Sequence, residues 1–503
     1  MNEVLSVRLR AVTVTLALLL INFLTVVAQV ATSNPLTPLL RAVDMNIGEK
    51  NKVELHDGSV AEVELLAVDR ITDSVFDAVR QVAVTVRVNG SKKTIYSGNY
   101  HLPVTIGDVQ IDCPVTLDYM DRAHQDSWGL EKRARLRLWP AGSPYVWPGT
   151  FVYPVSQKWL ASFTQYSNEP VVDGSPPDTK KKIYYHSGID LGGAEDMVEV
   201  YAATDGVVVS VRGDVLKGEP AEAPISPRYD VVYLRDERGW YYRYSHFDSI
   251  IPELRLGQRV RSGTKLGMLG KEGGSGGWTH LHFEAKSKQP SGKWGTQDSY
   301  AFLWDAYRRQ FDPDVLAIAR PHKVIKKGET TTLSAANSWA KNDIASYEWI
   351  LSDGSKKTAK EIEQKYDASG TYSEIVKVTD TKGNYDYDFA VVKVYEGSRD
   401  EKALPDIHAT FYPTTDIKAG DKVFFQVRSR WVAEGYDVWD FKDGSDPVMV
   451  KSNIESDNHA QVGYAVTSHR FEKPGDYLVN VHRKTSRGIA TARVYVKVLP
   501  VGK

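Results

Sequence analysis

Cysteine is nearly absent, with Cys113 the single one in 503 residues. No intramolecular disulfide can form, so stability has to come from packed cores and from any bound metal. Cys113 lies in VQIDCPVTL, far from the N-terminal segment, which excludes a lipoprotein anchor; it is expected as a small, buried, apolar residue. An excess of charge of one sign is also missing, since 63 basic residues face 64 acidic ones. That balance gives no electrostatic support to a nucleic-acid partner, or to binding a polyanionic wall by bulk charge. The apolar run AVTVTLALLLINFLTVVA follows Arg8 and Arg10 and ends in small residues before QVATSNP. This is the layout of a secretory signal over residues 1–28, with Val26 at minus three and Ala28 the last residue removed. An uncleaved anchor is the alternative, because the run approaches the ~20 residues that span a bilayer. The expected location is secreted, periplasmic or cell-surface, with membrane contact only if this segment is retained.

The length suggests about three to four domains at ~150 residues each, and a composition of 42% hydrophobic residues lets every one of them bury a core. Between residues 44 and 145, short runs alternate apolar and polar (KVELHDGSVAEVELLAV, QVAVTVRVNGSKKTIYSG, VTIGDVQIDCPVTL), with DG and NG pairs at turns. A β domain over 29–145 is predicted, serving as a prodomain or a substrate-positioning module. His56, Asp57, His101 and Asp112 fall in it at spacings that match no ligand pattern.

Chemistry concentrates further along the chain. YYHSGIDLGG carries His186 and Asp190, RYSHFDSI carries His246, and WTHLHFEAK carries His280 and His282. THLHFEA is apolar at alternate positions and reads as a strand, so His280 and His282 enter one cleft together. His186 and Asp190 are flanked by Gly188, Gly192 and Gly193, which argues for a strand and tight turn that folds both side chains onto one metal. Three N or O ligands with the fourth position left to water are what a catalytic zinc requires, and a histidine beside it can exchange protons. Isolated histidines such as His101 and His469 read as ordinary surface or core residues.

HxGxD, a mid-domain Y-x-H and HLHFE, in this order, resemble the lysostaphin-type or LytM-type zinc metalloendopeptidases over roughly residues 146 to 312. The segments VEVYAATDGVVVSV, VVYLRDERGWYYRYSHF and LRLGQRVRSGTKLGMLG resemble the family's intervening strands and turn. The resemblance implies an antiparallel β-sheet peptidase domain, one Zn2+ ion held by His186, Asp190 and His282, and His246 with His280 as the non-ligand catalytic pair. Those two would polarise the attacking water and stabilise the tetrahedral oxyanion. Two departures bear on substrate preference: the longer GDVLKGEPAEAPISPRYD replaces a glycine-rich approach, and Trp278 and Thr279, expected on the cleft wall, precede the histidine pair. The family often has a tyrosine beside the oxyanion, and Tyr166, Tyr184, Tyr185 and Tyr244 stay open for it. Glu284, on the strand face of His282, either orients a histidine or is a strand-edge residue.

The stretch IKKGETTTLSAANSWAKNDIASYEWILSDGS and its continuation resemble a PKD domain, an immunoglobulin-like β sandwich, over 313–398. Residues 399–503 repeat the plan with VWDFKDGS, the clearer match to the family's W-D-F-G-D-G. Trp349 and Trp439 are expected in the sandwich cores, and Trp339 and Trp431 on the surface. Such modules usually look like spacers or adhesion domains that bind protein or glycan surfaces.

The expected fold class is therefore mainly β and multidomain. The expected activity is zinc-dependent endopeptidase cleavage of peptidoglycan cross-bridges or stem peptides. Two alternatives are the same chemistry on glycine-rich extracellular proteins, and a non-catalytic, wall-binding activator of another hydrolase.

Overall fold

The computed structural model describes residues 37–120, 127–162, 164, 166–172, 183–397, 404–430, 433–453, 463–486 and 488–501. The expected signal segment, 1–28, and Trp431 lie outside them. The chain is mainly β: among the described residues the α-helices are Leu117–Met120 and Tyr300–Phe311, and no helix is long and apolar enough to cross a membrane.

Two four-stranded antiparallel sheets form the N-terminal part. One runs in the order Lys50–Glu54, Val60–Thr72, Val79–Val88, Ser91–Ser97; the other is Arg41–Met45, Ala134–Pro140, Val109–Thr116, Val104–Ile106. Asn89 and Gly90 join two of these strands as a two-residue turn with φ of +46° and +85°, the conformation that Asn-Gly favours in a hairpin. The alternating residues Val82, Val84 and Val86 face Ile111, Leu136 and Leu138 in one core, which also encloses Cys113. Burial pushes the Cys113 thiol up to about 12, so it stays protonated and inert.

The middle of the chain is a larger antiparallel sheet, in the order Ile189–Gly192, His280–Lys288, Tyr241–Ser245, Val231–Arg235, Gly206–Val211, Asp214–Val215. A second sheet of Glu199–Tyr201, Lys265–Leu269 and Phe247–Ile250 packs beside it. Tyr300–Phe311 contributes Phe302, Leu303 and Trp304 to the shared core, where they join Phe151, Tyr242 and Phe283. Arg137 ties this region to the N-terminal sheets: it pairs with Asp112 and donates to the Asp298 carbonyl at 2.6 Å.

The C-terminal strands form two sandwiches with separate cores, around Trp349 and around Trp439, both fully buried. Their sheets are continuous, because Gly370–Asp380 pairs in parallel with Gly488–Val498. Trp339 departs from the surface role expected of it. It is half-buried, edge-on to Trp304 at 6.3 Å, with the Arg308 guanidinium 3.9 Å from its ring centroid.

Glu169 is buried where these parts meet; Tyr100 Oη donates to its carboxyl at 3.3 Å, and its backbone oxygen accepts the His186 N–H at 3.1 Å. Burial pushes its carboxyl from 4.5 up to about 7, against the pull of the Arg320 charge. The folded protein thus holds a proton here that the unfolded chain gives up near 4.5, so stability falls as pH rises from about 4.5 through 7. Glu169→Gln is expected to be more stable than the parent at pH 8, by at most about 3 kcal/mol. The gain should vanish near pH 4.5, as read by paired thermal melts.

Candidate active site

The strand His280–Lys288 runs between Ile189–Gly192 and Tyr241–Ser245, and the pairing sets Asp190 directly opposite His282 on one side and Ser245 opposite it on the other. His280 and His282, two residues apart, project on the same face. His186 reaches that face through Gly188, whose φ is +87° and where a Cβ would meet the Phe283 carbonyl at 2.9 Å and the His282 ring at 3.0 Å. Only glycine fits this close approach. His246 follows its strand with φ +74°, a left-handed conformation rare outside glycine. Its backbone N–H donates to Asp230 Oδ2 at 3.1 Å, and its Nδ1 lies 2.6 Å from the Glu272 carbonyl.

Three donor atoms converge: His186 Nε2 is 3.0 Å from His282 Nδ1 and 3.1 Å from Asp190 Oδ1, which is itself 2.8 Å from His282 Nδ1. Bonds of about 2.0–2.2 Å to a tetrahedral zinc separate its donors by about 3.3 Å, so this set fits a zinc ion with little adjustment. Protons alone satisfy it poorly, because two imidazole nitrogens compete for one carboxylate oxygen.

His280 and His246 stand beside this group, their ring centroids 4.7 Å apart. His280 Nδ1 lies 2.9 Å from the Trp278 carbonyl and His246 Nδ1 faces that of Glu272. A carbonyl only accepts, so both rings carry hydrogen on Nδ1 and keep Nε2 for exchange. His280 Nε2 is 3.5 Å from Asp190 Oδ2.

Burial is the largest influence on each group. It pulls the His280 imidazole well below its ordinary range and His282 down to about 4. It also pulls His186 down, but the Asp190 charge outweighs it and leaves that ring raised. For Asp190, burial pushes the carboxyl up and is overcome by His186 and His280, which hold it well below the usual carboxylate range. At neutral pH the site therefore offers an ionised Asp190 and neutral His280 and His282 rings.

Other residues singled out in the sequence go elsewhere. Glu284 accepts from Thr296 Oγ1 at 2.8 Å and pairs with Lys286, with no hydrogen bond to a histidine among the described residues. Tyr244 Oη accepts from Ala203 N–H, Tyr185 Oη accepts from Val79 N–H, and Tyr166 is buried against Trp159 and Tyr300; the Tyr184 side chain lies outside the described residues. His56 meets Ser143, Asp57 caps Ser59, His101 meets Gln81 and Asp112 pairs with Arg137, so these four form no cluster. Trp278 and Thr279 are buried, and the Trp278 indole stacks on the His280 ring at 3.9 Å and 20°.

Sequence reasoning missed the groups that hold His246. Asp230 and Arg228 close the long GDVLKGEPAEAPISPRYD insertion, where their ion pair at 2.6 Å sits under the histidine. An Arg-x-Asp just before a strand was the signal available. Gly188→Ala is expected to destabilise the protein by more than about 1 kcal/mol, read as a lower denaturant midpoint.

Residues 184–293 match the sequence model of Peptidase family M23, and residues 312–394 match that of the PKD domain. The PKD match falls on the repeat with WILSDG, the copy whose pattern is the less regular. The chain is similar to the catalytic domain of the antimicrobial peptidase lysostaphin from Staphylococcus simulans, at 21% identity over 28% of this chain and 92% of that one, with a TM-score of 0.20. It is also similar to a Ruminococcus gnavus protein provisionally described as the glycyl-glycine endopeptidase LytM, at 22% identity over 32% of this chain and 61% of that one, TM-score 0.20. A third, from Pseudomonas aeruginosa and provisionally described as a peptidase M23, is 16% identical over 55% of this chain and 97% of that one, TM-score 0.21. By these family matches, the segment that carries His186, Asp190, His246, His280 and His282 is a peptidase family M23 domain, followed by a PKD domain.

Proposed function

We propose that the chain is a secreted zinc metalloendopeptidase that hydrolyses peptide bonds in peptidoglycan cross-bridges or stem peptides. The observation that carries this reading is the convergence of His186 Nε2, Asp190 Oδ1 and His282 Nδ1 next to two histidines whose Nδ1 atoms face backbone carbonyls. The family match over 184–293 supports a peptide-bond target, and the basic, apolar, small-residue layout of residues 1–28 supports export. The division into 29–145, 146–312, 313–398 and 399–503 belongs to the same reading, with the sandwiches also able to meet a glycan or protein surface.

His186, Asp190 and His282 would hold one zinc ion, whose chemistry is to acidify water and to polarise a carbonyl. His280 and His246 then divide the proton work. One Nε2 takes the proton of the attacking water, and the proton passes to the departing amine as the C–N bond breaks. A ring that has gained a proton also donates to the oxyanion formed from the scissile carbonyl. Burial favours this cycle at His280, where a neutral imidazole is the resting state and a charged one exists only while reaction charge balances it.

Purified chain incubated with peptidoglycan sacculi is expected to release new amino groups, and a chelated sample to release none. His282→Ala should lose zinc. His280→Ala should keep about one zinc per chain and lose roughly 10²- to 10⁴-fold in turnover. Equal metal loss in both variants, measured by atomic absorption, would overturn this division of roles.

A further inference from the structure

The C-terminal sandwich meets the peptidase sheet with a face built by strand alternation. In Asp406–Tyr412 and Lys422–Arg430, the residues Ile407, Ala409, Phe411, Val423, Phe425 and Val427 fill the sandwich core. His408, Thr410, Gln426 and Arg428 therefore take the opposite face. On a free-standing spacer that face would lie in water, yet all four are buried.

Gln426, Arg428 and His408 meet the pair of loops flanking the site strands, and the Ser162 hydroxyl lies 3.3 Å from His408 Nε2. Gln426 Oε1 accepts the Glu195 N–H at 2.7 Å and Gln426 Nε2 donates to the Glu195 carbonyl at 3.1 Å, just beyond the strand that carries Asp190. Arg428 donates to the Gly277 carbonyl. Tyr464, which precedes the Ala465–Arg470 strand and is next in register across from Arg428, accepts the Thr279 N–H at 2.8 Å. The Tyr464 hydroxyl in turn donates to His408 Nδ1 at 2.6 Å, and the His408 ring meets Trp278 edge-on at 5.3 Å. Burial pulls the His408 imidazole down to about 3, so the ring is neutral and one of its nitrogens is an acceptor.

The segment held this way has little stiffness of its own. From Lys271 to Thr279 it contains four glycines, and Gly273, Gly276 and Gly277 have φ of +61°, +67° and +78°. It ends at His280, which stacks on Trp278 and faces its carbonyl through Nδ1, so the position of Trp278 sets both the plane and the tautomer of that imidazole.

We propose that the C-terminal sandwich is a working part of the active site, with Tyr464, His408 and Arg428 as positioning residues that hold Trp278 and Thr279 and so orient His280. The role given to His280 rests on the hydrolytic reading above, whereas the contact itself does not. A spacer or an adhesion module has no use for a buried hydroxyl aimed at the backbone beside the site.

The test uses the full chain with zinc bound. Tyr464→Phe removes one hydroxyl and leaves the ring. It is expected to lower kcat on purified sacculi by tenfold to about a hundredfold, the scale of a small misplacement of a reacting group. KM should stay within about twofold and zinc content should be unchanged, while the melting temperature falls by only a few degrees, about what one lost buried hydrogen bond costs. Met449→Ala, on the exposed edge of the same sandwich, should keep the parent rate. A second readout is the fluorine NMR signal of Trp278 in protein labelled with 5-fluorotryptophan, assigned with Trp278→Phe, which should shift or broaden in Tyr464→Phe. Parental kcat with an unmoved Trp278 signal would overturn the proposal. So would a kcat loss accompanied by zinc loss or by unfolding at the assay temperature, since support of the fold then explains it. If the parent itself releases no amino groups, the hydrolytic reading has failed and the fluorine signal decides alone: moved, the positioning contact stands; unmoved, it falls.

Discussion

The site depends on one cross-strand opposition, that of Asp190 and His282. Antiparallel pairing holds the backbones of facing residues about 4.5 to 5.5 Å apart, which is the distance from which a carboxylate and an imidazole nitrogen can share one cation. A register slip of one residue would turn both histidines of His280–Lys288 to the other face of the sheet. The register is secured from both sides, by Leu191 and Leu281 beneath the site and by Tyr244 against Phe283 in the core. The conformationally demanding positions, Gly188 and His246, are tolerable because this packed sheet over-determines them.

Burial then sets the chemistry. With His186, Asp190, His246 and His280 all largely removed from water, charge on any of them is costly unless a partner balances it. Asp190 has such partners in two histidines and stays ionised, while His280 stays neutral with its Nδ1 tied to a carbonyl. The same low-dielectric setting strengthens the polar contacts behind the site. The chain from Thr279 through Tyr464 to His408 is buried, and the Thr279 N–H, the Tyr464 hydroxyl and His408 Nδ1 are paired along it.

Much of this was legible in the residues themselves. Alternation in THLHFEA gives the strand and the shared face, because a two-residue period is a local property of extended backbone. The Asn89-Gly90 hairpin, the buried Cys113 and the two tryptophan-centred sandwiches follow from equally local patterns. The surface role expected of Trp339 failed for a non-local reason: Trp304 and Arg308, on the Tyr300–Phe311 helix, come to rest against it. Tyr166, Tyr185 and Tyr244 were indistinguishable by sequence, since what separates them is where each hydroxyl ends up in a folded core.

Sequence alone therefore determined the repertoire: which segments are strands, which faces alternate, and which five residues have side chains of the types suited to metal binding and proton transfer. Those features are set by backbone periodicity and by side-chain type, and both act within a few residues. Tertiary structure decided which polar groups are buried together. His408, Gln426 and Arg428 read as the wet side of an ordinary sandwich strand, and Arg228 and Asp230 as the end of a loop. They reach the wall of the candidate site only because sheets far apart in the chain pack against it, and long-range packing leaves no periodic trace in the segments it joins.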